Sequence, residues 1–315
     1  MILFETFLHT LEITLPVFAM VFIGLGLRRL GWIDTAFINT ASALVFRATL
    51  PTLVFLSIVR ADLSATLNPG LLGFFALATL AGFVFCWLWA AWRVPYDHRG
   101  VFVQGAFRGN CSIVGLALAE SLYGDFGLSA GGLLIGVVIV LYNALSVIVL
   151  ASYQPGEKAG WWMILKDILR NPLIISVFLA IPFAWGEIGL PGWVMTSADY
   201  FASLTLPLAL LCIGGTLSLG GVQAGRKTAL SASMMKMVVL PALCTAGAML
   251  AGFEGRELGL LFLFFACPTA AASFVMAKAL GGNARLAANI IALTTLMASI
   301  TVTLGVFALR TAGLI

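Results

Sequence analysis

Two stretches of this chain, from Leu63 to Trp92 and from Phe126 to Gly156, contain no charged residue at all. A helix needs roughly 20 mostly apolar residues to cross the hydrocarbon of a bilayer. Both stretches exceed that length. A soluble core could not hide so much apolar surface. Composition agrees, with 61% of positions apolar and 10% charged, where a soluble domain carries about 25% charge. Lipid is the consistent solvent. Charged clusters cut the chain into ten apolar pieces, predicting membrane helices at 11–30, 36–58, 70–92, 99–122, 128–152, 171–188, 198–219, 228–250, 257–280 and 286–310. The sixth is interrupted by Pro182 and Gly186.

The positive residues predict the orientation. One set of alternate loops holds Arg28, Arg29, Arg93, Arg99, Lys158, Lys166, Arg170, Arg226, Lys227 and Arg285; the other holds only Arg60, Arg256 and Arg310. Positive side chains concentrate on cytoplasmic loops. The expectation is a multi-pass protein of the inner (plasma) membrane, with both termini on the periplasmic side and the loop around Lys158 in the cytoplasm. The first apolar run carries Glu5 and Glu12 rather than a basic leader, so it is expected to be a retained helix. Trp161, Trp162, Trp185 and Trp193 fall at span ends, as interfacial belts do. The five cysteines form no CxxC pair and the two histidines give no metal spacing, so neither a metal nor another cofactor is expected.

The two halves resemble each other. Leu15-Pro16 in the first span is echoed by Asn171-Pro172 in the sixth, and Thr49-Leu50-Pro51 by Thr205-Leu206-Pro207. Pro16 and Pro51 lie 35 residues apart, as do Pro172 and Pro207. With a two-residue slip, Asn110 aligns with Pro268, Glu120 with Lys278, Gly124 with Gly282 and Asp125 with Asn283. The alternative is coincidence between two apolar strings of biased composition. Five spans per half is an odd number, so the second half would enter from the opposite side. That is the inverted repeat common among secondary transporters. The predicted organisation is a first five-helix repeat over 1–156, a cytoplasmic linker over 157–170, and a second, inverted repeat over 171–315.

Corresponding spans of the two halves carry helix breakers near their middles. The fourth reads Arg108-Gly109-Asn110-Cys111-Ser112, and the ninth Cys267-Pro268-Thr269-Ala270-Ala271-Ala272-Ser273. Backbone freed inside a membrane survives only where it faces protein or a watery cavity. Interrupted segments in matching positions are the best sequence pointer to a transport site. The expectation is two unwound points crossing near the bilayer centre, with half-helix N-termini facing the substrate. Asn110 would donate and accept hydrogen bonds there, alongside the hydroxyls of Ser112, Thr269 and Ser273. For either break alone, close helix packing is the competing explanation.

Charges inside spans are costly and mark candidate sites. Here they are basic: Arg47, Arg108 and Lys236, with no carboxylate at the middle of any expected span. An anion carrier benefits from that asymmetry, whereas a proton or cation exchanger would be expected to place a carboxylate there. Snorkelling is the competing explanation for Arg47, and reach to the headgroups for Arg108.

Taken in order, several stretches resemble the auxin efflux carrier family, whose bacterial members include malonate and malate permeases. They are Thr14-Leu15-Pro16 with Gly24 and Gly31, Ala48-Thr49-Leu50-Pro51, and Phe107-Arg108-Gly109-Asn110 followed by Gly115-Leu116 and Leu122-Tyr123-Gly124. Pro207 through Leu210 with Ile213-Gly214, Lys236 before Pro241, Pro268 through Ala277, and Thr294-Thr295 through Ser299 complete the match. The resemblance implies an all-α polytopic fold of ten helices in two inverted five-helix repeats. It also implies a scaffold domain, and a transport domain whose broken helices four and nine cross at Asn110 and Pro268. Family substrates are small organic anions. Family members commonly carry proline where this chain has Ala117, which implies a softer fourth-helix break.

The expected function is therefore alternating-access transport of a small organic anion: a dicarboxylate such as malonate or malate, or an auxin-like carboxylate. Candidate substrate-binding residues are Asn110, Ser112, Pro268, Thr269, Ser273, Lys236, Arg47 and Arg108. The alternative is a sodium-coupled symporter of the bile-acid carrier type, using Asn110, Ser112, Thr269 and unwound carbonyls as oxygen ligands. No enzyme is expected, because no cluster of catalytic side chains stands out and the longest expected loop, 153–170, is too short for a catalytic module. Membrane lipid is the expected surrounding and nucleic acid is not an expected partner. Gly131-Gly132 offers a face for packing within the chain or against a second copy as a homodimer.

Overall fold

Three helix starts among the described residues are capped by short polar side chains. Asp34 accepts a hydrogen bond from the Phe37 amide, Asn68 from the amides of Gly70 and Leu71, and Asn283 from that of Leu286. Each satisfies amides that a first helical turn leaves without partners. The computed structural model describes residues 2–60, 68–153, 169–170, 172–186, 188–217 and 225–315. The expected linker at 157–170 lies outside the described residues except for Leu169 and Arg170, as do Trp161, Trp162, Lys158 and Lys166.

Over the described residues the chain is helical. The helices are α1 (Ile2–Arg29), α2 (Thr35–Leu44), α3 (Leu50–Val59), α4 (Pro69–Arg93), α5 (Tyr96–Phe107), α6 (Leu116–Ser152), α7 (Pro172–Trp185), α8 (Gly192–Ser203), α9 (Thr205–Thr216), α10 (Arg226–Met234), α11 (Leu240–Leu250), α12 (Gly255–Ala266), α13 (Ala272–Ala279) and α14 (Ala284–Thr311). Wide π-type turns at Val45–Thr49 and Met235–Val239 join α2 to α3 and α10 to α11, and one at Cys111–Gly115 leads into α6. The first two precede Pro51 and Pro241, where proline removes a donor from the ladder.

Six helical runs among the described residues are long and apolar enough to cross a membrane: Thr35–Val59, Pro69–Arg93, Cys111–Ser152, Gly192–Thr216, Arg226–Leu250 and Ala284–Thr311. α1 makes a seventh if its two arms, bent by 45° between Glu12 and Thr14, count as one span. Where ten crossings were expected, the others take different forms. α7 is apolar but 14 residues long. The expected fourth and ninth spans are each split by a break. Between the expected fourth and fifth spans lies Gly124, at φ 54° and ψ −133°, where the two arms of α6 meet. They fold back closely, so that a Cβ on Gly127 would overlap the Ala119 carbonyl.

Two helix pairings organise one side of the molecule. α1 packs along α9, and α3 along α7. The first pair approaches so closely that a Cβ on Gly24 would overlap the Leu211 carbonyl, and one on Gly214 that of Val21. The other side is a bundle of α4, α5, α6 and α10 to α14. Outward faces are apolar, with Leu77, Leu88, Phe178 and Leu250 exposed. Trp185 and Trp193 are exposed at helix ends, as expected of interfacial anchors. Just past α3, Arg60 pairs with Asp199 at 2.6 Å, and that hydrogen bond pushes the guanidinium pKa up.

Candidate functional site

The two breaks meet. Asn110 donates its amide to the Pro268 carbonyl at 2.7 Å, and Ala270 donates to the Arg108 carbonyl at 3.2 Å. Gly109 and Thr269 thereby form an isolated antiparallel bridge between two otherwise helical segments. Glycine is required at 109. A Cβ there would lie 2.7 Å from Cys267 Sγ and 3.0 Å from Lys236 Nζ.

A break in an apolar bundle orphans carbonyls at the end of each preceding half-helix. Side chains from elsewhere satisfy them. Thr269 Oγ1 donates to the Gly105 carbonyl of α5 at 2.7 Å. At the end of α12, Lys236 Nζ donates to the Phe265 carbonyl at 3.0 Å. The Phe264 carbonyl accepts from Cys111 Sγ at 3.3 Å and Cys267 Sγ at 3.0 Å. A cation at a helix C-terminus also complements the helix dipole.

The half-helices beyond the breaks open onto a cavity of about 570 Å³. Its wall on one side comes from α2, α3, their π turn and α9; on the other, from the first break, the middle of α6 and the start of α13. Cys111, Ser112 and Ile113 begin one half-helix there, and Ala271 and Ala272 the other. Helix N-termini present free amides and positive dipole ends, a favourable setting for an anion.

Arg108 is the buried charge in this wall. It is buried, and Nη2 donates to Asn143 Oδ1 at 2.9 Å. Nη1 donates to the Tyr142 carbonyl at 3.2 Å and to Ser146 Oγ at 3.1 Å, and lies 3.0 Å from Met276 Sδ. Among the described residues the salt bridges are Arg60–Asp199 and the contact of His98 with Asp97, so no carboxylate pairs with Arg108. Its Nε has no partner among them. A buried charge without a counter-ion is costly, and an anion in the cavity would offset that cost. Arg47 faces the same cavity from the π turn of the opposite wall, exposed and outside every salt bridge of the described residues.

Of the eight candidate residues, Arg47, Arg108, Asn110 and Ser112 line the cavity. The other four lie behind it. Pro268 supplies the bridging carbonyl, Thr269 caps α5, and Lys236 is 1% exposed and tied to α12. Lys236 faces a separate cleft of about 10 Å³ beside Thr79 and Tyr142. Ser273 is buried, its hydroxyl without a hydrogen-bond partner among the described residues. Sequence reasoning missed Asn143 and Thr216, both in the cavity wall. Asn143 had a signal. It is the one carboxamide side chain between Phe126 and Ser152, one turn before Ser146 on the face that holds Arg108.

A family model described as "Membrane transport protein" matches residues 9–160 and 159–306. An uncharacterized transporter of Methanothermobacter thermautotrophicus is 24% identical over 277 residues, which cover 86% of this chain and 89% of the relative. Another, from Methanocaldococcus jannaschii, is 24% identical over 209 residues, covering 64% and 66%.

Proposed function

The chain belongs to the membrane transport protein family, and on that premise we propose that it is a secondary transporter of a small organic anion. The substrate class is a dicarboxylate such as malonate or malate, or an auxin-like carboxylate. The observation that carries the anion is Arg108, a buried guanidinium with no carboxylate partner among the described residues, facing a cavity that also holds Asn110 and the starts of two half-helices. A volume near 570 Å³ suits a small ligand with its hydration. Asn110 Nδ2 and the free amides would bind carboxylate oxygens, and Arg108 would balance their charge.

Movement would come from the two groups of helices whose interface is the cavity. One group, α1–α3 with α7–α9, would act as scaffold. The other would carry the meeting point of the breaks. The exchange of partners, α1 with α9 and α3 with α7, supports halves over 1–156 and 171–315 related by an inverted repeat, because the repeat maps the first span onto the sixth and the second onto the seventh. Counting α1, α7 and each broken helix as crossings gives ten. The Lys and Arg distribution supports a plasma-membrane orientation with both termini outside.

Counterflow of labelled malonate into proteoliposomes tests the reading. Saturable uptake in the native protein that falls in Asn110→Ala is expected. Uptake equal in the two would remove Asn110 from the site. The same assay with sodium replaced tests the sodium-coupled alternative, which requires uptake to stop.

A further inference from the structure

Cys111 and Cys267 lie on opposite sides of the meeting point, one opening the half-helix after the first break and the other closing the half-helix before the second. Their sulfurs are 3.4 Å apart, both thiols free and buried. Both donate to the same Phe264 carbonyl, which aims them at one point. Gly109 puts no side chain beside them: a Cβ there would lie 2.7 Å from Cys267 Sγ, 3.3 Å from Cys111 Sγ and 3.0 Å from Lys236 Nζ. Cys111 also faces the large cavity, whereas Cys267 does not.

We propose that Cys111 and Cys267 form a redox-sensitive pair that closes to a disulfide when hydrogen peroxide enters the cavity, stapling the two breaks together. The atoms balance. Cys111 sulfur attacks the peroxide O–O bond, becomes a sulfenic acid and releases water. Cys267 sulfur then displaces the sulfenic hydroxyl as a second water. Two thiols give up two electrons and one peroxide is reduced. A cation beside the sulfurs and one thiol open to the cavity are the setting in which such a cysteine reacts. A dithiol reductant reverses the step by exchange. The pair spans 156 residues of chain, so closing it restricts the unfolded state strongly.

The test uses the whole purified protein in detergent, treated with hydrogen peroxide and then blocked with an alkylating reagent. Peptide mass spectrometry should find the Cys111–Cys267 linked peptide as the major oxidised form, with Cys86, Cys212 and Cys244 alkylated. The oxidised protein should unfold several degrees higher than the reduced one, and dithiothreitol should reverse both changes. Cys111→Ser and Cys267→Ala should each abolish the link and the shift. Oxidation of Cys111 or Cys212 without a linked peptide would overturn the proposal, as would a linked peptide that leaves the unfolding temperature where it was. The readout is covalent, so it stands or falls apart from any uptake measurement.

Discussion

The two breaks have similar backbones and different chemistry. Both interrupt a helix, both lend a strand-like stretch to the shared bridge, and both start a new half-helix at the cavity. The first break presents side chains: Arg108, Asn110 and Ser112. The second presents backbone and methyl groups, through Ala270, Ala271 and Ala272. Its own polar residues turn away. Thr269 caps α5, and Ser273 is buried without a partner among the described residues. On the proposed function, recognition falls to the first break, whose side chains line the cavity, and support to the second.

The division is most exposed at Arg108. Arg108→Ala should lower the initial uptake rate by roughly 100-fold, a loss of about 2.7 kcal/mol at the transition state. Arg108→Lys keeps the charge but loses the planar fork that reaches Asn143, Ser146 and the Tyr142 carbonyl together, so it should fall between. Initial rates per inserted molecule decide the point. Near-native uptake in Arg108→Ala would mean that recognition does not live on the first break.

Asn110→Ala should cost less, on the order of 10-fold in uptake, because one neutral donor–acceptor group is worth about 1 kcal/mol. Its side chain makes no hydrogen bond to other described residues, so insertion and unfolding temperature should stay close to native. A variant that loses stability instead would assign Asn110 to the frame.

Thr269→Val inverts that pattern. It keeps the shape and removes the donor to the Gly105 carbonyl. A buried carbonyl left without a partner costs roughly 1–3 kcal/mol. Thermal unfolding in detergent should drop by several degrees, while uptake per folded molecule stays within about 2-fold, less than 0.5 kcal/mol. A large loss of uptake with no loss of stability would move Thr269 into the site.

Much of this division could not be read from the sequence, for reasons that particular residues make plain. The breaks themselves were legible, because helix breakers stand near the middle of corresponding expected spans, at Gly109-Asn110 and Pro268. That they would meet was an expectation, and a bridge joins Gly109 to Thr269. Which side chains face the cavity was not legible. Helical periodicity fixes a face only while the helix continues, and each extended stretch resets the phase. Ser112 and Ser273 look alike in sequence, yet one lines the cavity and the other is sealed behind it. The place of Lys236 was hidden for another reason. A lysine deep in a span is costly, and the orphaned Phe265 carbonyl, which no local pattern reveals, satisfies it. Arg108 drew the opposite suspicion, of reaching out to headgroups, because its partners Asn143 and Ser146 lie more than thirty residues along the chain.

Ser273 gives the smallest effect and the finest test of the comparison. Its hydroxyl is buried and unpartnered among the described residues, so the structure gains nothing from its polarity. Removing a buried hydroxyl that makes no hydrogen bond relieves a desolvation cost rather than incurring one. Ser273→Ala should therefore unfold within about a degree of native or slightly above, corresponding to less than ~0.5 kcal/mol. Uptake should not change, because the second break offers its backbone to the cavity and not this side chain. Ser112→Ala, made alongside, should reduce uptake by a few-fold, since that hydroxyl does line the cavity. If Ser273→Ala were the variant to lose transport, the hydroxyl would have to reach the substrate in another conformation of the cycle. Recognition would then be shared between the breaks, and the asymmetry between them would belong to one state of the carrier instead of to its design.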